Sequence, residues 1–184
     1  MIFYPQFLAP VCQFMHAAEK GHIQLFKDPF LDKSSKANQF EILGPNAKHK
    51  LSLHLNRSTL KKPMEEVFLS DSKEWRKSHL KTIETSYRKA AFYQFYDYKL
   101  HPLLELDTLF EAILASYELC FDALNLEVDI EWTDAKPGAI DSKNLHFRKY
   151  DQVFSEKLGF HANLSILDLI YNQGPMARDI ILHI

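Results

Sequence analysis

Glycine is scarce: five occur in 184 residues. None belongs to a phosphate-cradling Gly-rich loop, and no Gly-x-Ser-x-Gly turn is present. Neither a P-loop nor a hydrolase nucleophile elbow is therefore encoded. Cysteine is scarcer still. Cys12 and Cys120 build no disulfide framework and suit a reducing cytoplasm. Nine histidines are scattered without His-Glu-x-x-His or similar spacing, so neither a metal site nor a cofactor is expected. A net charge of −2 gives no global pull toward nucleic acid or a membrane surface. No run approaches the ~18 apolar residues of a membrane span. The start, "MIFYPQFLAPVCQF", lacks a basic segment and is interrupted by Pro5 and Pro10, which makes a poor signal peptide. The expectation is a cytoplasmic protein with no nucleic-acid partner and no membrane insertion.

What is present suffices for a packed core. Hydrophobic residues make up 46% of the chain and charged residues 25%, an ordinary balance for one globular domain over residues 1–184. "IFYPQF" reads as a short strand ended by proline. "VCQFMHAAEK" has helical spacing and stops at Gly21. "HIQLF" reads as a second strand, so the start is β-α-β, a unit that favours parallel pairing. "NQFEILGPNAKHKLSLHL" alternates on both sides of Gly-Pro-Asn and predicts a hairpin. "EEVFLS" predicts a further strand.

The middle is helical. Asp71 and Glu74 have capping-box spacing, as do Thr108 and Glu111. Leu80, Ile83 and Tyr87 share a face of the first helix, and Pro102 marks a break or a new first turn. Helices are expected across residues 72–125. "EVDIEW" reads as a strand and "TDAKPGAIDSKN" as a loop. The fold class is mixed α/β: an N-terminal β-α-β unit with a hairpin on a mixed sheet, followed by a helical segment.

Near the end, "NLSILDLIYNQGP" is apolar apart from a few polar residues. Ser165, Asp168 and Asn172 fall within an arc of roughly 60° on a helix. Gly174 and Pro175 end that helix. The stripe is either a cap, worth ~1 kcal/mol per residue, or part of a site. Cys12 lies on an apolar helix face and reads as a buried structural thiol.

The segments "EWRKSHLKTIETSYRKAAFYQFY" and "YDQVFSEKLGFHANLSILDLIYNQGP" resemble the WbqC-like family, as does the opening "YPQFLAPVCQF". Members occur in bacterial surface-polysaccharide (O-antigen) clusters. The resemblance implies a role in glycan assembly, with transfer of glycine or a related acyl group to a sugar as the specific expectation. The family's loop usually reads close to Lys-Gln-Thr-Tyr-Arg-Asn-Arg. Here residues 33–39 read "KSSKANQ". Lys33 and Asn38 match and Ser35 stands for Thr. Lys36 replaces the tyrosine, and Ala37 and Gln39 replace both arginines. Two fork-shaped anion binders are lost, leaving Lys33 and Lys36 as point charges. The segment before "YDQVF" is also short, so the chain resembles a shortened, divergent member.

On this resemblance the candidate catalytic residues are His79 and Asp168. His79 titrates near neutrality and would serve as base on an acceptor amine, with Asp168 orienting it. Asn38, Lys33, Gln152, Asn172 and Tyr150 are the candidate substrate-binding residues, for a sugar or nucleotide-sugar. The alternative is a non-catalytic sugar- or partner-binding module. A weaker one is an adenylyltransferase-like nucleotide binder, suggested by the strand, Pro-containing loop, helix and strand at the start.

Overall fold

A computed structural model of the chain describes residues 1–27, 30–31, 36–138 and 146–182. The first strand, β1 (Ile2–Phe3), is only two residues long. Pro5 follows it and has no N–H to offer a ladder. Helix α1 (Val11–Lys20) starts after Pro10 and ends at Gly21, whose φ of 71° is the left-handed conformation that glycine adopts without strain. Strand β2 (His22–Phe26) then pairs parallel with β1, so the β-α-β unit is present. β2 is the middle strand. On its other side it pairs parallel with β5 (Asp129–Thr133), giving the order β1-β2-β5. All three strands end at one edge of the sheet. The segments leaving that edge begin at Tyr4, Lys27 and Asp134.

The hairpin forms from β3 (Gln39–Leu43) and β4 (Lys48–Ser52), with Glu41 opposite Lys50. It does not join the parallel sheet, which corrects the single mixed sheet read from sequence. The reason lies at β3's outer side. The Ser165 N–H donates to the Glu41 carbonyl at 2.8 Å. The Leu43 N–H donates to the Tyr87 hydroxyl at 3.3 Å. These bonds use groups that a neighbouring strand would need. "EEVFLS" is corrected too. It makes isolated bridges, Leu55 with Leu69 and Phe68 with Thr108, and no strand.

Three helices follow: α2 (Lys73–Tyr87), α3 (Tyr93–Leu104) and α4 (Leu109–Ala123). The cap of α2 is Ser72, which accepts from Glu74 N–H, and not Asp71 as the spacing suggested. Thr108 and Glu111 do form a capping box on α4. Pro102 sits inside the last turn of α3 rather than at a break or in a first turn. A short α5 (Ser155–Leu158) precedes α6 (Ile166–Gln173), and α7 (Ala177–Leu182) closes the described chain.

α6 is the helix around which the others gather. It packs against α1, α2, α3, α4 and β3. Ile166, Leu167, Leu169, Ile170 and Tyr171 are all buried. Each large apolar side chain buried this way contributes about 1.5–3 kcal/mol. Phe14 of α1 stacks on Tyr117 and meets Phe121 edge-on, both of α4, at ring separations of 5.6 and 5.4 Å. Phe40 of the hairpin meets Phe7 at 5.6 Å. The same core therefore fixes the segment after β1, the hairpin and the start of α6 relative to one another. No helix among the described residues is long and apolar enough to cross a membrane.

Candidate functional site

The polar stripe on α6 divides into three different roles. Ser165 is the N-cap, its hydroxyl accepting from Leu167 N–H at 3.3 Å. Asp168 is fully buried and does not cap the helix. Its Oδ1 accepts from the Tyr87 hydroxyl at 2.8 Å. Its Oδ2 accepts from the Tyr150 hydroxyl and from Gln152 Nε2, each at 2.7 Å. Asn172 turns back on its own helix, donating to the Asp168 carbonyl at 2.7 Å. The structure thus brings Asp168, Tyr150 and Gln152 together and leaves Asn172 outside that cluster.

Gln152 cannot turn its amide over. Its Nε2 donates to the His161 carbonyl at 2.9 Å, and its Oε1 accepts from the His161 N–H at 2.9 Å. Tyr87 also reaches β3 through Leu43. One carboxylate therefore ties α6 to α2, to the hairpin and to the segment around residues 150–161. Burial raises the Asp168 pKa, against the pull of Tyr150, Tyr87, Gln152 and the more distant His161. Burial also raises the Tyr87 and Tyr150 hydroxyls, so both remain protonated donors.

The expected Asp168–His79 pair is not formed. His79 Nε2 donates to the Ser52 carbonyl at 2.9 Å. Its ring lies edge-on to Trp75 at 5.4 Å and to His54 at 5.9 Å. His79 stands eight residues before Tyr87, about 12 Å along the α2 axis. Burial lowers its pKa, favouring the neutral ring, although the Ser52 carbonyl pulls the other way. Asn38 Nδ2 donates to the Leu53 carbonyl at 2.9 Å, and Leu53 N–H returns a bond to the Asn38 carbonyl at 2.8 Å. That closes the approach to the hairpin. Lys33 lies outside the described residues.

A cleft of about 160 Å³ opens beside the hairpin. The segment after β1 contributes Gln6, Leu8 and Pro10. The segment after β2 contributes Lys36, and the hairpin adds Gln39, Phe40, Glu41 and Lys50. Asn163 and Ser165, at the entrance to α6, complete the wall. Asp168 sits one turn behind that wall and holds it in place. Gln6 Nε2 donates to the Gln39 carbonyl at 2.6 Å. Gln39 Oε1 is buried without a partner.

Sequence reasoning missed Gln6, Gln39, Glu41 and Lys50 as lining residues. The available signal was the alternation in "QFEIL", which sends Gln39 and Glu41 away from the face of Phe40 and Ile42. Two of the departures from the family's loop, Lys36 and Gln39, fall in this cleft. The first turn of α1 offers nothing to a phosphate. Val11 N–H donates to the Leu164 carbonyl, Cys12 N–H to Asn163 Oδ1 and Gln13 N–H to the Pro10 carbonyl, each at 3.0 Å. This counts against the nucleotide-binding reading, which requires that helix terminus. Burial pushes the Cys12 thiol up to about 11, so it is no thiolate nucleophile. Among the described residues no group of three His, Cys, Asp or Glu side chains is placed to hold a metal ion.

No curated protein and no solved structure matches the chain. The model of one family, the WbqC-like protein family, matches residues 5–146. That span contains Asn38, His79, Tyr87 and the cleft residues from Gln6 to Lys50. Tyr150, Gln152, Asn163, Ser165, Asp168 and Asn172 lie beyond it. With more than half of its length matched, the chain belongs to the WbqC-like protein family.

Proposed function

We propose that this chain recognises a small polar ligand of the sugar class in the cleft, within the surface-glycan assembly that the family resemblance implies. The lining of the cleft is the observation that carries the reading. Lys36 and Lys50 donate, Glu41 accepts, Gln39 brings a side-chain amide whose oxygen is buried and unpaired, and Leu8 and Phe40 offer apolar edges. Sugar hydroxyls both donate and accept, and sugar ring faces are apolar, so such a mixed lining suits them. The volume, about 160 Å³, is below the roughly 300–1,000 Å³ of sites for drug-sized ligands. It suits one ring rather than a whole nucleotide-sugar.

Recognition fits this geometry better than acyl or aminoacyl transfer by the residues first suspected. Transfer needs a base at the acceptor amine. His79 is bonded to Ser52, and Asp168 is enclosed by three donors with no exposed surface. Two free, buried cysteines are in keeping with a reducing cytoplasm.

The test is a titration of isotope-labelled protein with glucose and with N-acetylglucosamine, followed by amide chemical shifts. Saturable shifts are expected at Gln6, Gln39 and Glu41, with affinities near the millimolar range that correspond to about −4 kcal/mol. Absence of saturable shifts at these residues would refute the reading. Acylation of a sugar amine that depended on His79 would establish the transferase instead.

A further inference from the structure

The geometry points to an anionic sugar as the ligand, with its phosphate or carboxylate between Lys36 and Lys50 and a hydroxyl or amide N–H donating to Gln39 Oε1. The inference rests on the cleft being the ligand site and goes on to name the ligand's two ends.

The acceptor end comes first. Gln39 Oε1 is buried and unpartnered. Gln6 Nε2 donates to the Gln39 main-chain carbonyl at 2.6 Å and not to the side-chain oxygen. Buried oxygens in native proteins are almost always paired. A buried, unpaired oxygen on a residue of the cleft wall is therefore a place for a donor from outside the chain. A ligand without a donor at this point would leave the oxygen unpaired, which is the strongest kind of discrimination a small site can exert.

The anionic end follows from the hairpin's outer face. Glu41 lies directly opposite Lys50, but its carboxylate is already engaged by Lys48 at 3.2 Å. Lys36 is set on the near side by a left-handed turn, φ 54°, with its carbonyl accepting from Gln39 N–H at 2.8 Å. The described lining thus has two lysines against one shared glutamate. The start of α6 does not compete for an anion. Ser165 N–H is given to Glu41, Ile166 N–H to Ala9 and Leu167 N–H to Ser165 Oγ. The lysine ammonium groups remain as the positive partners, acting as point charges rather than as a bidentate fork.

The experiment compares glucose, glucose 1-phosphate, glucuronate and inorganic phosphate by calorimetry at low and high salt. At least one anionic sugar is expected to bind tenfold or more tightly than glucose at low salt. The preference should shrink as salt screens the lysines, and the tighter arm distinguishes phosphate from carboxylate. The pair Lys36→Gln with Lys50→Gln, both on exposed side chains, should lower the anionic sugar to the affinity of glucose. Gln39→Met keeps the length of the side chain and removes the acceptor. It should bring glucose 1-phosphate down to the affinity of inorganic phosphate, with an unchanged melting temperature showing that the fold is intact. Equal binding of glucose and both anionic sugars would overturn this inference and leave the sugar-site reading standing. Inorganic phosphate binding as tightly as glucose 1-phosphate to the unmodified protein would overturn the part given to Gln39. No binding by any of the four would overturn both readings.

Discussion

Asp168→Asn separates an anchor from a catalytic group, because it keeps the volume and removes one acceptor. The amide has two ways to sit. With Nδ2 in the place of Oδ2, it faces Gln152 Nε2, a donor against a donor. Gln152 cannot flip to accept, since both ends of its amide hold His161. With Nδ2 in the place of Oδ1, it faces the Tyr87 hydroxyl, which already accepts from Leu43 N–H. That hydroxyl can accept once more, but its own proton is then left without a partner. Either arrangement leaves one buried donor unpaired, at a cost of ~1–3 kcal/mol. Relief from burying a charge offsets part of this, so the net loss is about 1–2 kcal/mol. For a chain of this size each kcal/mol moves the melting temperature by roughly 2–4 °C. Calorimetry should therefore show a drop of roughly 2–8 °C, while glucose binding by the folded variant at 20 °C stays within about threefold. Tyr150→Phe removes a single donor and should cost ~1 kcal/mol. The double variant should fall short of the sum, because the two groups share one bond. A melting temperature within about 1 °C of the unmodified protein, together with lost ligand binding, would refute the anchor and return Asp168 to the chemistry.

The raised Asp168 pKa carries a pH dependence with a definite sign. The folded state takes up this proton before the unfolded state does, so the stability advantage of the unmodified protein over Asp168→Asn should widen as pH falls from neutrality toward about 4. Denaturant titrations of both proteins across that range would show it, and a gap that narrows on acidification contradicts it. Gly174 has φ 52°, and a Cβ there would meet the Phe92 ring, so Gly174→Ala should lose at least about 1 kcal/mol. An unchanged unfolding midpoint would mean that Phe92 moves aside freely. Cys12, with its thiol pushed up to about 11, should resist iodoacetamide at pH 8 in the native protein and react in urea. Stoichiometric labelling of the native protein, read by mass spectrometry, would contradict its burial.

Where the sequence was legible, one local rule spoke without a competitor. The helical period across α2 and α4, the alternation around Gly-Pro-Asn, and the Gly174–Pro175 stop each act over a few residues, and each element formed where it was expected. The misreadings share a cause. "EEVFLS" has strand-like residues, but its neighbours offer only single bridges at Leu55 and Thr108. The hairpin was assigned to the main sheet because sequence does not reveal that Ser165 and Tyr87 occupy the outer side of β3. Those partners come from more than 40 and more than 120 residues away in the chain, and no local pattern encodes them.

The polar residues follow a related division. Asp168 stood out because a polar group on a buried helix must find partners or cost ~1–3 kcal/mol. The sequence therefore announced that partners exist, and Tyr150 and Gln152 were within reach of the reading because they come 16–18 residues earlier. Necessity of this kind points toward structure, because every bond that satisfies the carboxylate also encloses it. Lys36, Lys50 and Glu41 carry no such necessity. Water satisfies each of them alone, so their placement leaves no signature in the local sequence, and they could be found only once the fold had set four separate segments around one opening. Gln39 falls between the two cases. It is an outward-facing strand residue on the cleft wall whose side-chain oxygen is buried and unpaired. A polar atom enclosed by the fold but left unpaired by it is neither a solvated surface group nor a satisfied anchor. That combination makes Gln39, rather than the better-bonded Asp168, the residue at which a ligand has something to complete.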